Sequence, residues 1–366
     1  MSVLNLFAMP TRRARKAPDR PVPWPPGAAS GGLLSRAFGV AILLVGALIA
    51  WEVFDWAVLN AVVQPDPAAC RALDHAGACW GVLVEKHRLI LFGRFPYEEQ
   101  WRPLAATLVL LGAIGAAMVR PWWGRKLAVA VAAALVAFFV LMGGGVFGLT
   151  PVGTDQWGGL PLTLLLTVGG ITLAYPLGIL LALGRRSSLP VVRGACIAYI
   201  ECVRGVPLIA LLFAASFILP LFLPPGMEID IALRILIAIV AFSAAYLAEV
   251  VRGGLQAIPK GQWEAAAALG LDTPRAVGLV VLPQALRIVV PPTVNTMIGV
   301  LKDTSLVTIV SLYELTGSVK LALSDPEWRA FYVEGYVLIS VVYLAFGLVM
   351  SRYSAWLERQ TKAASH

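Results

Sequence analysis

Charge is what this 366-residue chain lacks: Asp, Glu, Lys and Arg make up only 14% of it, against 59% hydrophobic residues and a mean hydropathy of +0.80. Soluble domains carry about 25% charged and about 45–50% apolar residues. Such an apolar excess cannot all hide in a core, so the main solvent is lipid. Histidine is scarce, at positions 75, 87 and 366 only. That leaves no Ser/His/Asp or metal constellation at membrane depth and argues against a membrane-embedded enzyme. The four cysteines lack zinc-ligand spacing. No G-x-x-x-x-G-K-[ST] run occurs, so the chain has no P-loop for a nucleotide. The net charge of +8 is spread between apolar runs and forms no basic stripe with interleaved aromatics, which excludes a nucleic-acid partner.

What is there is a series of apolar runs. A bilayer core of about 30 Å takes about 20 apolar residues per helix. Candidate spans are 37–59, 104–119, 127–149, 160–184, 206–223, 232–250, 289–313 and 332–350, which predicts an all-α, polytopic membrane bundle of about eight helices. The second run is short, and the seventh carries polar residues. With the amino terminus inside, inside segments hold 20 Lys and Arg and outside segments hold 7. By the positive-inside rule both termini are then expected in the cytoplasm.

Three regions follow. Residues 1–36 form a basic, Pro-rich tail with Arg12, Arg13, Arg15, Lys16 and Arg20. The apolar run after it is too long for a signal-peptide core of about 7–15 residues. Residues 37–150 carry three spans and a long outside loop, 60–103. Residues 151–366 hold almost every patterned polar feature. The loop contains Cys70 and Cys79, and an oxidising exterior would permit their disulfide, although spacing alone does not show that the two sulfurs meet. His75 and His87 read as solvated loop residues. Glycines 143–145 and 158–159 suit span ends or close helix packing.

The inside segment Gly253–Pro274 is too well formed for a passive loop. Pro259 and Gly261 terminate what precedes. Residues 262–269 then form a short helix with Gly270 as a left-handed C′ cap. Thr273 suits an N-cap and Pro274 the first position of the next helix. Glu264 is expected in the first turn, where its carboxylate complements the helix dipole and can reach a basic partner. On residue physics alone, docking in a groove of another protein and lying on the membrane surface are equally open.

Glu264-Ala265-Ala266, Gly270 and Leu282-Pro283 resemble the EAA motif of permease subunits of binding-protein-dependent ABC importers, with Val280 in an isoleucine position. The stretches Tyr199–Pro207, Ala245–Gly254 and Leu301–Leu306 are similar to the polar-amino-acid group of that family. The likeness covers about 155–360 and implies a five-span core, with residues 151–366 as the permease domain. The three extra spans resemble the larger M-type subunit of general L-amino-acid and glutamate/glutamine importers. That resemblance implies several partners: separate ABC ATPase subunits that bind ATP and Mg, a second and different permease, and a periplasmic amino-acid-binding protein. It also implies a place in the bacterial inner membrane, a coupling helix through Glu264–Gly270, and no cofactor or catalytic residue in this chain.

Other polar groups have two readings. Glu201 with Arg204, and Glu249 with Arg252, are opposite charges three apart on helices. They serve either as structural ion pairs or as contacts for an ATPase or gate. Lys302, Asp303, Thr304 and Ser305 lie at membrane depth, where charges face a cavity or a partner. Pro291, Pro292, Asn295 and Thr296 upstream predict an interrupted helix. Substrate-path lining and an internal salt bridge both fit the cluster, with Ser243 and Tyr246 as further candidates for the path. The runner-up, an ion-coupled secondary amino-acid transporter, needs carboxylates deep in several spans. The first three offer only Glu52 and Asp55, near one end.

Overall fold

A computed structural model describes residues 33–72 and 77–363. The tail over 1–32, His75 and His366 lie outside the described residues. Two compact units divide at Asn60. The first consists of α1 (Leu33–Phe54) and its π-helical continuation Asp55–Leu59. This helix is apolar all round and none of its span is buried, as befits a surface solvated by lipid.

The second unit is a helical bundle, with no strand among its described residues beyond two isolated bridges. It begins with α2 (Pro67–Arg71) and α3 (Gly81–Phe92), followed by the hairpin α4 (Trp101–Ala117) and α5 (Arg125–Gly143). Next come α6 (Gly159–Gly184), α7 (Pro190–Gly205) and α8 (Leu208–Phe213, coiled on to Phe222). The remainder is α9 (Ile231–Ala257), α10 (Lys260–Ala268), α11 (Thr273–Ala276), α12 (Leu282–Asp303), α13 (Leu315–Ala322) and α14 (Tyr332–Ala363).

Six described helices are long and apolar enough to cross a membrane, or seven if the bent pair α7–α8 counts as one span. The expected count of eight exceeds this because α4 has 17 residues, about 26 Å of helix. The third run ends at Gly143 and not at 149, because Gly144, Gly145 and Gly148 take positive φ and turn the chain. Between the fourth and fifth candidate spans lies α7. This helix meets α8 at 104°, because Pro207 has no N–H to continue it and holds Val206 extended. The expected interruption at Pro291 and Pro292 is absent. Helix α12 runs through both prolines and gives way only at Thr304, to a 3-10 segment ending in left-handed Ser311. The last span continues to Ala363.

Helix α6 is apolar on every side and is buried all round over residues 161–170, which makes this half central, while Leu173, Leu177 and Leu180 of its second half are exposed. Its principal neighbour is α9, and small residues set their separation. A Cβ at Gly178 would stand 2.8 Å from Leu247 Cβ and 3.2 Å from the backbone of Ala244 and Ala248. Gly178→Leu is therefore expected to force α6 and α9 apart. The cost is about 1–3 kcal/mol or more, read as lost monodisperse protein and a lower unfolding temperature in detergent. On the opposite flank, α4 and α5 add Ala106, Leu110, Phe138 and Met142 to the same core.

At one end of the bundle, α3 and the disulfide-bonded loop before it cover α13 and the start of α14. Cys70 and Cys79 are joined, with Cα atoms 5.6 Å apart. Cys79 N–H donates to the buried Glu334 carboxylate at 2.7 Å, and Arg71 donates to the Glu327 carbonyl at 2.8 Å. Lys86 pairs with Asp325 at 2.9 Å. Lys86, then the Glu327 backbone N–H, holds the Asp325 carboxyl below the usual carboxylate range. A depressed folded pKa means the contact stabilises above the unfolded pKa and fades as pH falls through the folded one. The stability difference between wild type and Lys86→Met, measured by thermal unfolding, should be present at neutral pH and vanish on acidification.

Also at this end, Arg102 is fully buried and closes the α4–α5 hairpin. Its guanidinium donates to the Leu141 carbonyl at 2.6 Å, to the Thr150 carbonyl at 2.9 Å and to Glu99. Two of the orphan carbonyls of α5 are thereby met by a cation, since the Met142 carbonyl also accepts from it.

Candidate functional site

At the other end of the bundle, the chain leaves α9 and enters the short helix α10. It begins at Lys260, two residues earlier than expected, because Pro259 supplies the extended N-cap. Glu264 therefore sits in the second turn, not the first, and the dipole argument for it lapses. Its side chain is exposed, as are Ala265 and Gly270, while Ala266 is buried against the bundle. Gly270 adopts φ +74°. Gly270 N–H donates to Ala267 O at 2.9 Å and Leu271 N–H to Ala266 O at 3.1 Å. This is a Schellman closure, which a Cβ at Gly270 would strain. The next N-cap is Asp272, not Thr273. Its carboxylate accepts from Arg275 N at 3.0 Å, leaving Thr273 and Pro274 inside the first turn.

Helix α10 is tied to α12. Gln284 donates to Gln262 at 2.9 Å, one turn from partly buried Leu282 and exposed Pro283, where α12 starts. Arg186 lies over the Trp263 ring at 5.5 Å. Alongside, Gly254 of α9 approaches α12 so closely that a Cβ would meet Val289 at 2.3 Å. The exposed edge carries Glu264, and beyond it Leu269 is 80% exposed.

Next to α10 is an ion-pair network centred on Glu249. Arg252 contacts its Oε2 at 2.9 and 2.8 Å, Arg185 its Oε1 at 2.8 Å, and Arg204 approaches to 3.9 Å. The expected Glu249–Arg252 pair is present. The expected Glu201–Arg204 pair is not: Glu201 pairs with Arg185 at 2.9 Å. Arg185, at the end of α6, was missed because its partners lie 16 and 64 residues away. A cation directly after an apolar run of span length is the sequence signal that could have found it.

Arg204 also lies over the Tyr246 ring at 5.6 Å, which joins the network to a cavity of about 240 Å³ between α9 and α12. Its walls are Phe242, Ser243, Tyr246, Thr296, Gly299, Val300 and Asp303. Ser243 is 1% exposed and its Oγ has no hydrogen-bond partner among the described residues. Asp303 is half-buried and carries the one charge on the wall. Three of the six expected path residues, Ser243, Tyr246 and Asp303, thus meet at one cavity. Lys302 is exposed away from it and makes no ion pair with Asp303. Thr304 and Ser305 spend their hydroxyls on the Leu301 and Lys302 carbonyls, each at 2.7 Å. Phe242, Thr296, Gly299 and Val300 complete the wall and were not singled out in the sequence as lining it.

Sequence reading also missed Glu314, which is fully buried without a cation. Its carboxylate accepts from Tyr343 OH and Thr308 Oγ1 at 2.9 Å, from Gly317 N at 3.0 Å and from Thr163 Oγ1 at 3.4 Å. It knots α6, the 3-10 segment, α13 and α14 at the disulfide end.

Closely packed membrane helices beside a small, mostly apolar cavity that carries one carboxylate, with a short exposed helix at one end, are the build of a membrane transport component. The chain belongs to the family of binding-protein-dependent transport system inner membrane components, which it matches over residues 174–363. It is 45% identical to the Escherichia coli K12 inner membrane amino-acid ABC transporter permease protein YhdY, over 89% of this chain and 90% of that one. It is 35% identical to the Rhodobacter capsulatus glutamate/glutamine/aspartate/asparagine transport system permease protein BztC, over 90% and 91%. Matches this long reach well into the first 150 residues. The crystal structure of an amino acid ABC transporter with histidines shows 32% identity and a TM-score of 0.49, over 54% of this chain and 90% of that one. The protein is thus a multi-pass inner-membrane permease subunit of an ABC importer.

Proposed function

We propose that the chain translocates polar L-amino acids and is driven through α10 by separate ATPase subunits. Both relatives named above are amino-acid permeases, and the cavity suits such a solute. Asp303 offers a counter-charge to an ammonium, and Ser243 Oγ offers an unspent hydroxyl. The carrying observation is α10 itself. It is short, exposed on the Glu264 edge, fixed at Gly270 by its Schellman closure and tied to α12 through Gln284. An ATPase that grips Glu264–Gly270 would move α12, and with it one wall of the cavity.

In this reading ATP and Mg belong to the ATPase partner. A second, different permease completes the pair, and a periplasmic binding protein delivers the amino acid. The 20 to 7 division of basic residues supports a cytoplasmic position for α10 and both termini. Residues 151–366 act as the permease domain and 37–150 as an N-terminal extension, of which α4 and α5 pack against α6. Such a device works by shifting populations between inward- and outward-facing states.

The test is uptake of labelled amino acids into vesicles holding the chain with its permease, ATPase and binding-protein partners. Uptake should require ATP. Glu264→Ala should reduce it at least tenfold while leaving the protein folded. Uptake that persists without ATP, or follows an ion gradient alone, would favour the ion-coupled alternative.

A further inference from the structure

The turn between α4 and α5, at the same end as α10, holds a group of side chains that neither translocation nor coupling uses. Trp123 Nε1 donates to the Ala117 carbonyl at 2.9 Å, and Tyr353 OH of α14 donates to the same carbonyl at 3.0 Å. One acceptor at the end of α4 thus fastens the turn to α14. Tyr353 stacks on Trp356, with centroids 5.8 Å apart and planes at 22°, and the Arg120 guanidinium lies 5.4 Å over the Trp356 ring. An aromatic face holds this cation in place without consuming its N–H donors.

Arg125 and Lys126 follow within one turn, and all three cations are exposed. Among the described residues none of them has an acidic partner. No Asp or Glu occurs between Glu99 and Asp155, so the whole hairpin is without a carboxylate. On α14 the nearest acid, Glu358, makes no ion pair with the group. The apolar side chains around it, Val119, Trp122 and Trp356, are 47%, 47% and 40% exposed.

We infer that this turn and the Tyr353–Trp356 face of α14 bind the headgroup of an anionic phospholipid. Unpaired guanidinium and ammonium groups match a phosphodiester, and Arg120 and Arg125 can offer it forked donors. Indole and phenol rings with one polar tip and one apolar body sit where headgroup meets acyl chain. The exposed apolar flank continues from the cations down the helices, which is where the acyl chains of a lipid, and of no soluble phosphate, would lie. Basic groups near the cytoplasmic leaflet select anionic over zwitterionic lipid.

The full-length chain in detergent micelles, titrated with phosphatidylglycerol or phosphatidylcholine and followed by native mass spectrometry, tests this. Phosphatidylglycerol should bind saturably and at least tenfold more tightly than phosphatidylcholine. Neutralising Arg120, Arg125 and Lys126 together to Gln should remove that preference while leaving phosphatidylcholine binding unchanged. Trp356→Leu keeps every charge but releases Arg120, and should weaken phosphatidylglycerol binding severalfold, so the proposal stays testable if the triple variant misfolds. Equal binding of the two lipids would overturn it, as would full phosphatidylglycerol affinity in the triple variant or in Trp356→Leu. Competition by millimolar inorganic phosphate would instead assign a soluble anion and overturn the lipid. Loss of lipid binding when the partner ATPases are added would mark the face as a protein contact and overturn it as well.

Discussion

Glu314→Ala should destabilise the protein by several kcal/mol, since each buried donor left without its acceptor costs about 1–3 kcal/mol. Four donors from four elements converge on this carboxylate, and none is a cation. Truncation leaves Gly317 N–H and the Thr308 and Tyr343 hydroxyls without this acceptor, while Thr163 Oγ1 keeps the Gly159 carbonyl at 3.1 Å. The conservative change separates hydrogen bonding from charge. A glutamine oxygen can still accept from Gly317 N–H and Thr308, and its amide can donate to Tyr343 and Thr163 hydroxyls, which rotate to accept. Glu314→Gln is therefore expected to cost about 1 kcal/mol. Chemical or thermal unfolding in detergent, followed by tryptophan fluorescence, distinguishes the two. Equal losses for Ala and Gln would mean that the negative charge itself is required.

Glu249→Ala should do comparable damage at the opposite end. Removing the hub leaves Arg185, Arg204 and Arg252 mutually repelling, with only Glu201 as a counter-charge. Because the side chains in the network are 18–54% exposed, solvent screens part of this. The expected loss is about 2–3 kcal/mol, below the range for a fully buried pair. Arg204 touches the cavity wall at Tyr246 and Arg252 lies in the last turns of α9 before α10, so uptake should fall further than stability alone would explain. Arg185→Ala restores charge balance if combined with Glu249→Ala. The double variant should recover stability relative to Glu249→Ala alone, and additive losses would contradict the network.

The parts of this molecule legible in the sequence are those set by neighbours along the chain. The cap at Gly270, the pair Glu249–Arg252 and the apolar span of α6 all depend on residues within a few turns. What escaped was fixed across the bundle. Arg185 draws Glu201 away from Arg204 because α6 and α7 end side by side. Glu314 went unremarked, since Thr163 and Tyr343, which bury it, are 151 and 29 residues distant. Pro291 and Pro292 marked a break by local rules. There, packing of α12 between α9 and α14 overrides the two lost N–H groups, and Ser354 of α14 donates to the Pro291 carbonyl at 3.3 Å. The cavity was half legible: the KDTS run pointed to α12, but which of its four side chains turned inward depended on the helix phase at Asp303.

Because α12 passes through its prolines unbroken, it is one rod of 22 residues, about 33 Å long. Its Leu282 end is fastened to α10 and its Asp303 end forms the cavity wall. A rod has a mechanical advantage that a hinged pair of half-helices lacks. A tilt of about 10° about the Leu282 end carries Asp303 through about 6 Å, roughly the breadth of a cavity of this size. Small strokes at the surface are thereby enlarged at depth, and any residue that softened the rod midway would uncouple one end from the other without touching either.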